Sequence, residues 1–208
     1  MVRRPAMRTM IDALASADPA MALVIDRAPL CSLRRTGTRE GLDNFGALCG
    51  SVLYQQLAGA AAATIHRRFL ELFEGGVPTP SHVLALPTET YRGAGLSGAK
   101  TKAITSLAEA VVAGSVDLDN VHRHDDASVV EQLSSVHGIG RWTAEMFLMF
   151  DLGRLDVWPT GDFGVRKGWM VAHDLGEMPA PKALEACGER FRPYRSIAAW
   201  YCWRAADG

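Results

Sequence analysis

Apolar and polar residues recur along this chain with the period of helices rather than that of strands. Asn44–Phe73 is one long region of this kind, and Met10–Ile25 predicts another helix or a pair of helices. The alanine-rich stretch Ala58–Ala63 allows close helix packing, and Gly75–Pro80 ends the region because glycine and proline favour turns. Further helices are expected at Ser81–Ala85, Pro87–Gly93, Ala99–Ala113, Ala127–Ser134, Arg141–Phe150, Asp162–His173, Pro181–Glu189 and Pro193–Ala205.

Strand-like patterns are few. Ala28–Arg35 and Leu155–Trp158 are the two segments whose apolar residues suggest short strands. No internal repeat or low-complexity tract stands out. A chain of 208 residues can bury a substantial core, as one domain or as two closely associated lobes. The predicted fold class is therefore all-α.

The composition is that of an ordinary globular protein, with 48% hydrophobic and 22% charged residues. The apolar runs are shorter than the roughly 18 residues that a membrane span requires. No long apolar stretch follows Met1–Pro5, so we expect no signal peptide and a cytoplasmic protein. The cysteines are scattered without the spacing of a zinc site, which predicts small core residues rather than metal ligands: Cys31, Cys49, Cys187 and Cys202.

The segment Val136–Glu145 offers a way for a chain of net charge −1 to bind nucleic acid. Gly138-Ile139-Gly140 follows a short predicted helix and allows a tight reversal, since glycine tolerates positive φ. Ile139 can fold inward between two helices, the second of which begins near Arg141. The N–H groups at that helix start can bind a phosphate, and Arg141 adds a local cation. The alternative interpretation is a plain helix–turn–helix with a glycine turn.

Asp162 is the first candidate for a functional carboxylate. It follows Pro159–Gly161 and precedes a helical pattern, which places it at or near a helix N-terminus. An N-cap role is a common use of aspartate. The helix terminus also favours the ionised form, by about 0.3–1 kcal/mol when the group is exposed. Asp156 is the nearest rival, but its place before Val157–Pro159 suggests a loop residue.

Seven residues between Leu133 and Ala144 match, in register, the motif Leu-x-x-Val-x-Gly-Ile-Gly-x-x-Thr-Ala. This motif belongs to the helix-hairpin-helix (HhH-GPD) DNA glycosylase superfamily, which the chain resembles. Leu155–Arg166 is similar to the loop and helix start that carry the family's aspartate, and Ser51–Leu57 is similar to its lesion-site helix. The turn and lysines of Gly95–Lys102 and the segment Arg192–Arg204 resemble the 3-methyladenine DNA glycosylase II (AlkA-like) branch.

The resemblance implies a single glycosylase unit over residues 1–208, built as two helical lobes around a DNA-binding cleft. The central lobe is expected at residues 44–157 with the hairpin at 133–150, and the second lobe at residues 1–43 together with 158–208. Too few residues precede Phe45 for the amino-terminal β-domain of the longer AlkA form. The four closely spaced cysteines of the iron–sulfur members are also missing, so no cofactor is expected.

In the family, the position of Asp162 is that of the catalytic carboxylate. Breaking an N-glycosidic bond develops positive charge on the sugar, which a fixed carboxylate stabilises. A purine alkylated at N3 or N7 is already cationic and leaves with little acid assistance. The implied function is hydrolytic removal of alkylated purines, 3-methyladenine and 7-methylguanine, from duplex DNA by base flipping. Two alternatives stay open: a glycosylase for oxidised or deaminated bases, and a non-catalytic hairpin module that binds lesions.

Aromatic residues near these motifs suggest a base pocket. Trp142, Tyr54 and Trp158 could present π faces to a flipped, positively charged base. For Tyr54 and Trp158 a place in the core is an equally good explanation. Bifunctional members of the superfamily carry a nucleophilic lysine where this chain has Trp142, so the resemblance implies a monofunctional enzyme without lyase activity.

DNA contacts are expected from the lesion-site helix and from the hairpin. Either Gln56 or Leu57 would fill the gap left by the flipped base, and the sequence does not decide between them. Gln55 either shares that role or forms hydrogen bonds within the protein. The expected partner is duplex DNA with alkylated bases, bound by a monomer at the nucleoid. The predicted DNA-contacting residues are Gln55, Gln56, Leu57, Gly138, Ile139, Gly140, Arg141 and Thr143.

Overall fold

The computed structural model describes residues 5–33, 42–57 and 59–208, and every regular element within these ranges is helical. The all-α prediction is confirmed. None of the helices in the described ranges is long and apolar enough to cross a membrane. The α-helices of the described residues are α1 (Met7–Ala17), α2 (Pro19–Arg27), α3 (Asn44–Tyr54), α4 (Gly59–Leu70), α5 (Pro80–Ala85), α6 (Thr88–Gly93), α7 (Gly98–Val112), α8 (Asp126–Ser134), α9 (Arg141–Phe150), α10 (Phe163–Ala172), α11 (Pro181–Gly188) and α12 (Arg195–Asp207).

Short polar side chains define where several helices start. Asp18 accepts hydrogen bonds from the N–H groups of Ala20 and Met21, at 3.0 and 3.1 Å, and so caps α2. Pro19 cannot continue α1, so the region predicted at Met10–Ile25 divides into α1 and α2. Side chains that accept a first-turn N–H also start α3, α5, α7, α8 and α10, namely Asp43, Thr79, Ser97, Asp125 and Asp162.

The strand-like predictions were wrong for the residues that the structure describes. Leu155–Trp158 is a loop whose backbone bonds to the start of α12 rather than to another strand. The N–H of Ser196 donates to the carbonyl of Leu155 at 2.9 Å, and the N–H of Val157 donates to the Ser196 hydroxyl at 2.9 Å. Ala28–Leu33 is also irregular, and the rest of that predicted strand lies outside the described residues.

The chain divides into two compact units: a first unit of residues 1–35 and 153–208, and a second unit of residues 36–152. In the first unit α10 packs closely against α12. Gly168 of α10 makes this approach possible, because a Cβ at that position would overlap the backbone carbonyl of Cys202. The close packing places the start of α10, with Asp162, against the side chains of α12.

A buried carboxylate ties three segments of the first unit together. Asp18 is almost fully buried, and its Oδ2 lies 3.1 Å from His173 Nε2 and 3.1 Å from Arg190 Nη1. Burial opposes ionisation of Asp18, but the hydrogen bonds from His173 and from the Met21 N–H outweigh it and lower the pKa of the carboxyl group. The network holds the end of α10 against the start of α2.

The second unit is built around α3, most of which is buried. Leu48, Val52 and Leu53 are completely shielded from solvent, and α4, α7 and α9 pack against this helix. The Tyr91 hydroxyl donates to the carbonyl of Val83 at 2.6 Å and joins α6 to α5. Because α7 and α9 pack against α3, the C-terminal end of α3 has a fixed position beside them. The candidate site of this unit forms at that end.

Candidate active site

The predicted hairpin joins α8 to α9 in the second unit. Gly138 has φ +82°, and a Cβ there would overlap the Cβ of Ala103 on α7, so both the backbone conformation and the close approach require glycine. Ile139 is buried, and its N–H donates to the carbonyl of Val136 at 3.1 Å, which closes the turn. Ile139 is therefore the inward-facing residue that the sequence pattern suggested.

The start of α9 is open to an anion. Gly140 is its N-cap and has no side chain to accept the first-turn N–H groups. A Cβ at this position would meet no described atom within 4 Å. Arg141 is largely exposed, and its Nε donates to Oε1 of the buried Glu145 at 2.8 Å. A phosphate at this terminus would meet both the helix dipole and a fixed guanidinium group.

Gln55 links the end of α3 to the hairpin. Its Nε2 donates to the carbonyl of Gly138 at 3.2 Å and to the hydroxyl of Thr143 at 3.1 Å. Thr143 is buried. The amide of Gln55 and the hydroxyl of Thr143 are thus used within the protein, which favours the internal alternative for Gln55. These contacts do not support DNA contacts by either side chain, although the N–H of Thr143 belongs to the first turn of α9.

The next two residues have a different environment. Gln56 has φ +56°, a left-handed conformation that costs a non-glycine residue about 1–2 kcal/mol. Its side chain is exposed, and Leu57 is also exposed. Backbone strain of this kind often occurs at functional positions, where the surrounding structure maintains it. Both candidates for the gap-filling side chain lie on the surface of the turn after α3.

Lys100 holds the end of α3, a role that no pattern in the sequence indicated. Its ammonium group donates to the carbonyls of Val52, Leu53 and Gln55, at 2.8, 2.8 and 2.9 Å. They lie at the end of α3, where the last carbonyls of a helix lack α-helical partners, and the Val52 carbonyl also accepts the Gln55 N–H at 3.3 Å. Burial lowers the pKa of Lys100. This α7 lysine therefore fixes the turn that carries Gln55 and Gln56.

A pocket of about 190 Å³ lies between α3 and α9 in the second unit. Two aromatic rings are accessible at it: Tyr54 is 44% exposed and Trp142 is 46% exposed. The Tyr54 ring packs edge-to-face with His66 of α4, with ring centroids 5.8 Å apart. The structure thus brings Trp142 and Tyr54 together. The pocket is lined by Ser51, Tyr54, Gln55, Trp142, Thr143, Met146, Phe150 and Asp151.

Trp158 is not among the lining residues of this pocket. It is buried in the first unit, where its indole N–H donates to the carbonyl of Leu184 at 2.9 Å. Its ring packs near Trp169 and Phe191, with centroids 6.1 and 6.2 Å away. Gly188 allows this packing, because a Cβ there would clash with the Trp158 ring. These contacts favour the core alternative for Trp158.

Asp162 is the N-cap of α10, as its position in the sequence predicted. Its Oδ1 accepts the N–H of Val165 at 2.7 Å and the indole N–H of Trp203 at 2.8 Å. The side chain is 8% exposed. The Trp203 ring lies against Gly164, where a Cβ would come within 2.6 Å of it. Two donors from different helices therefore fix the orientation of this carboxylate.

The contact of Trp203 with Asp162 could not be inferred from the sequence, because 41 positions separate the two residues. The rival carboxylate, Asp156, is a loop residue as predicted. It accepts hydrogen bonds from Arg192 Nη1 at 2.7 Å and from Arg195 Nε at 2.8 Å. Through these ion pairs, Asp156 holds the loop that leads to α10.

The residues from the second half of α3 to the segment just before α12 match a known family model. The model describes the HhH-GPD superfamily of base excision DNA repair proteins and matches residues 49–193. That range contains the hairpin, the pocket and Asp162. The chain belongs to this superfamily. The predicted recognition and the helix-hairpin-helix assignment are confirmed.

Within the HhH-GPD superfamily, the chain is similar to DNA-3-methyladenine glycosylase 1 of Schizosaccharomyces pombe. The two are 33% identical over 175 residues, which cover 83% of this chain and 77% of that protein. The chain is also similar to a solved structure of the S. pombe 3-methyladenine DNA glycosylase Mag1 in complex with abasic DNA. The two superimpose with a TM-score of 0.83 at 30% sequence identity, and the match covers 94% of this chain and 95% of that chain. A DNA-3-methyladenine glycosidase from Bacillus halodurans has a TM-score of 0.83 at 33% identity, covering 95% and 88%.

Proposed function

We propose that this HhH-GPD protein is a monofunctional DNA-3-methyladenine glycosylase of type II. It removes 3-methyladenine and 7-methylguanine from duplex DNA by hydrolysing the N-glycosidic bond, and it acts as a monomer without a cofactor. The observation that carries the proposal is the carboxylate of Asp162, held at the start of α10 by the N–H groups of Val165 and Trp203. The names of the similar proteins support the class of lesion.

The chemistry needs a fixed negative charge and a water molecule. When the bond between C1′ and the base nitrogen breaks, both bonding electrons leave with the base, and the sugar becomes positively charged. Asp162 stabilises this charge electrostatically. Water then adds to C1′ and releases a proton, with Asp162 able to orient the water molecule. The cationic base becomes neutral as it leaves, so no separate acid is required.

The pocket of the second unit receives the flipped base. Trp142 and Tyr54 are the most exposed of its aromatic lining residues. Cation–π attraction of about 0.5–2 kcal/mol favours an alkylated, positively charged purine over a neutral one. The apolar side chains of Met146 and Phe150 complete the lining. This arrangement supports selection of a cation with a planar ring.

The hairpin provides local contacts to DNA, whereas the net charge of the chain does not attract DNA. The open start of α9 at Gly140 and the exposed Arg141 together offer N–H donors and a cation to one phosphate. Gln56 fills the gap left by the base, with Leu57 beside it. The strained backbone of Gln56 supports this choice, whereas Gln55 is engaged inside the protein. A chain of net charge −1 can bind DNA through such local contacts.

The proposal is tested by Asp162→Asn. Asparagine keeps an oxygen that accepts from Val165 and Trp203, so the helix cap and the fold should persist while the charge is lost. We expect single-turnover release of 7-methylguanine to fall at least about a hundredfold, the usual effect of losing one preorganised electrostatic group. Binding of the lesion duplex should survive.

The matched control is Asp174→Asn, which makes the same charge change at an exposed position of the same unit. It should leave the release rate unchanged. Near-normal release by Asp162→Asn would remove Asp162 from the mechanism. Wild-type protein that bound lesion duplexes but released no base would favour the non-catalytic module. Release of oxidised or deaminated bases in preference to alkylated ones would favour the other enzyme class.

The product should be an intact abasic site without strand cleavage. A lyase needs an unprotonated amine at C1′, and Trp142 occupies the position of the nucleophilic lysine. Two other lysines are engaged with carbonyls: Lys100 at the end of α3, and Lys167, whose Nζ donates to Ala206 at 2.8 Å. Incubation with lesion DNA and borohydride should trap no covalent complex. A complex that formed at the rate of base release would contradict this expectation.

A further inference from the structure

Lys100 lies in the first turn of α7, where the dipole of that helix disfavours a positive charge. Ser97 is the N-cap of α7, and its hydroxyl accepts the N–H of Lys100 at 3.3 Å. Acidic side chains, rather than basic ones, stabilise the start of a helix. The stability of α7 therefore does not explain the lysine. Its ammonium group lies instead at the C-terminal end of α3, where the helix dipole favours a cation.

The ammonium group binds the backbone that leads into the turn after α3. It has three protons, and the carbonyl oxygens of Val52, Leu53 and Gln55 accept them at 2.8, 2.8 and 2.9 Å. The Gln55 carbonyl belongs to the peptide group that joins Gln55 to Gln56. Because the side chain of Gln55 is also bound to the hairpin, Gln55 is held at its main chain and at its side chain. Lys100 therefore fixes the point from which Gln56 starts.

Gln56 depends on such support because its backbone conformation is unfavourable. Its φ of +56° lies in the left-handed region, which a residue other than glycine keeps only when its surroundings maintain it. A cavity of about 400 Å³ borders the turn, and its lining includes Gln56, Leu57 and Lys100. Open space on this side gives the turn less packing support, so hydrogen bonds carry more of the restraint. The bonds from Lys100 supply it.

We infer that Lys100 is a positioning residue for base flipping, which holds the turn after α3 in the conformation that directs Gln56 into the duplex. A side chain on a preformed turn fills the gap without the entropic cost of ordering its backbone during the flip. Without Lys100 the turn is ordered only when the base leaves the stack, and the flipped state becomes less populated. This inference rests on the proposed function, since it requires a flipped base and a filled gap.

The test is Lys100→Met, which keeps most of the side-chain length and removes the ammonium group. Single-turnover release from a 7-methylguanine duplex gives the ratio of the maximal rate to the half-saturating enzyme concentration. This ratio includes the flipping equilibrium whether or not flipping is complete in the saturated complex. We expect the ratio to fall about tenfold, equivalent to about 1.4 kcal/mol. Affinity for an unmodified duplex, where phosphate contacts dominate, should stay within about twofold.

Two variants of the same helix separate geometry from charge. Lys102→Met removes a positive charge at an exposed position of α7 and reports any general loss of attraction to DNA. An equal fall of the ratio in Lys102→Met and Lys100→Met would overturn the inference. Lys100→Arg keeps the charge, but a planar guanidinium group cannot direct its donors as an ammonium group does. It should show a smaller loss than Lys100→Met, and it replaces that variant if Lys100→Met does not fold.

A double-mutant cycle distinguishes positioning from a purely structural role. In a Gln56→Gly background there is no side chain to place, so Lys100→Met should add little, and the double variant should lose about tenfold rather than about a hundredfold. The same cycle with Leu57→Gly covers gap filling by that neighbour. Equal effects of Lys100→Met in wild type and in both backgrounds would overturn the inference, because loss of stability alone predicts them.

The outcomes also separate this inference from the proposed function. Release by the wild-type protein together with an unchanged ratio in folded Lys100→Met would overturn the role of Lys100 and leave Asp162 as the catalytic group. Absence of release by the wild-type protein would overturn the proposed function and this inference together. Thermal melting shows which variants are folded.

Discussion

Gly140 offers a test in which stability and DNA affinity should move in opposite directions. As the N-cap of α9 it has φ −93° and ψ 170°, an extended conformation that any residue adopts. No described atom lies within 4 Å of its Cβ position. Gly140→Asp should therefore fold, with its carboxylate accepting a first-turn N–H as Asp125 and Asp162 do at their helices.

The two effects can be estimated separately. An aspartate in place of glycine at an N-cap gains a few tenths of a kcal/mol, and its charge beside the helix dipole adds about 0.3–1 kcal/mol. The thermal midpoint should rise by about 1–5 °C for a chain of this size. A phosphate at the same terminus loses charge-assisted hydrogen bonds worth about 1.5–3 kcal/mol, so DNA affinity should fall about 10- to 150-fold.

The assay is fluorescence anisotropy with lesion and unmodified duplexes at several salt concentrations. Both duplexes should be affected alike, because phosphate contacts position the protein without reading the base. The slope of log affinity against log salt should fall by about 0.9 for one lost phosphate contact. Gly140→Asn, which caps without a charge, should weaken binding less. A more stable Asp variant with DNA affinity within twofold of wild type would refute the hairpin as a phosphate site.

Two more expectations concern the turn after α3 and the buried network of the first unit. Gln56→Gly removes the cost of the positive φ at this position, so the free energy of unfolding should be unchanged or higher. The rate of lesion release at subsaturating enzyme should fall about tenfold, because glycine cannot fill the gap left by the base. Equal release rates for wild type and variant would favour Leu57 as the gap-filling residue. Asp18→Asn should cost about 1.5–3 kcal/mol at pH 7 because its histidine and arginine partners lose a charged acceptor. Since the pKa of Asp18 is lowered by folding, that stabilisation is present above about pH 4, the ordinary aspartate range, and disappears as pH falls through the lowered value. The melting temperatures of wild type and Asp18→Asn should therefore converge as the pH falls. A constant difference between them down to pH 2 would contradict the stabilising role of the ionised Asp18.

Local chemistry explains which features of this protein its sequence determines by itself. The helical period, the glycine turn and the aspartate ahead of α10 depend on neighbours a few positions away, so the all-α class, the positive φ of Gly138 and the cap at Asp162 could all be expected. The strand prediction for Leu155–Trp158 was wrong because the backbone of this segment bonds to a residue of α12. A short apolar run does not reveal where its hydrogen bonds go.

Side-chain partnerships over long distances in the sequence were decided only by the folded chain. Gln55 reaches Thr143 across 88 positions, and Trp203 reaches Asp162 across 41. Lys100, which has the sequence context of a surface or phosphate-binding lysine, lies close enough to the end of α3 to bind three carbonyls. A residue type and a helical period specify which face of a helix is buried, but a hydrogen bond between distant segments depends on how whole helices pack. That packing is why the Gln55 side chain bonds within the protein, whereas the side chain of its neighbour Gln56 is exposed at the surface.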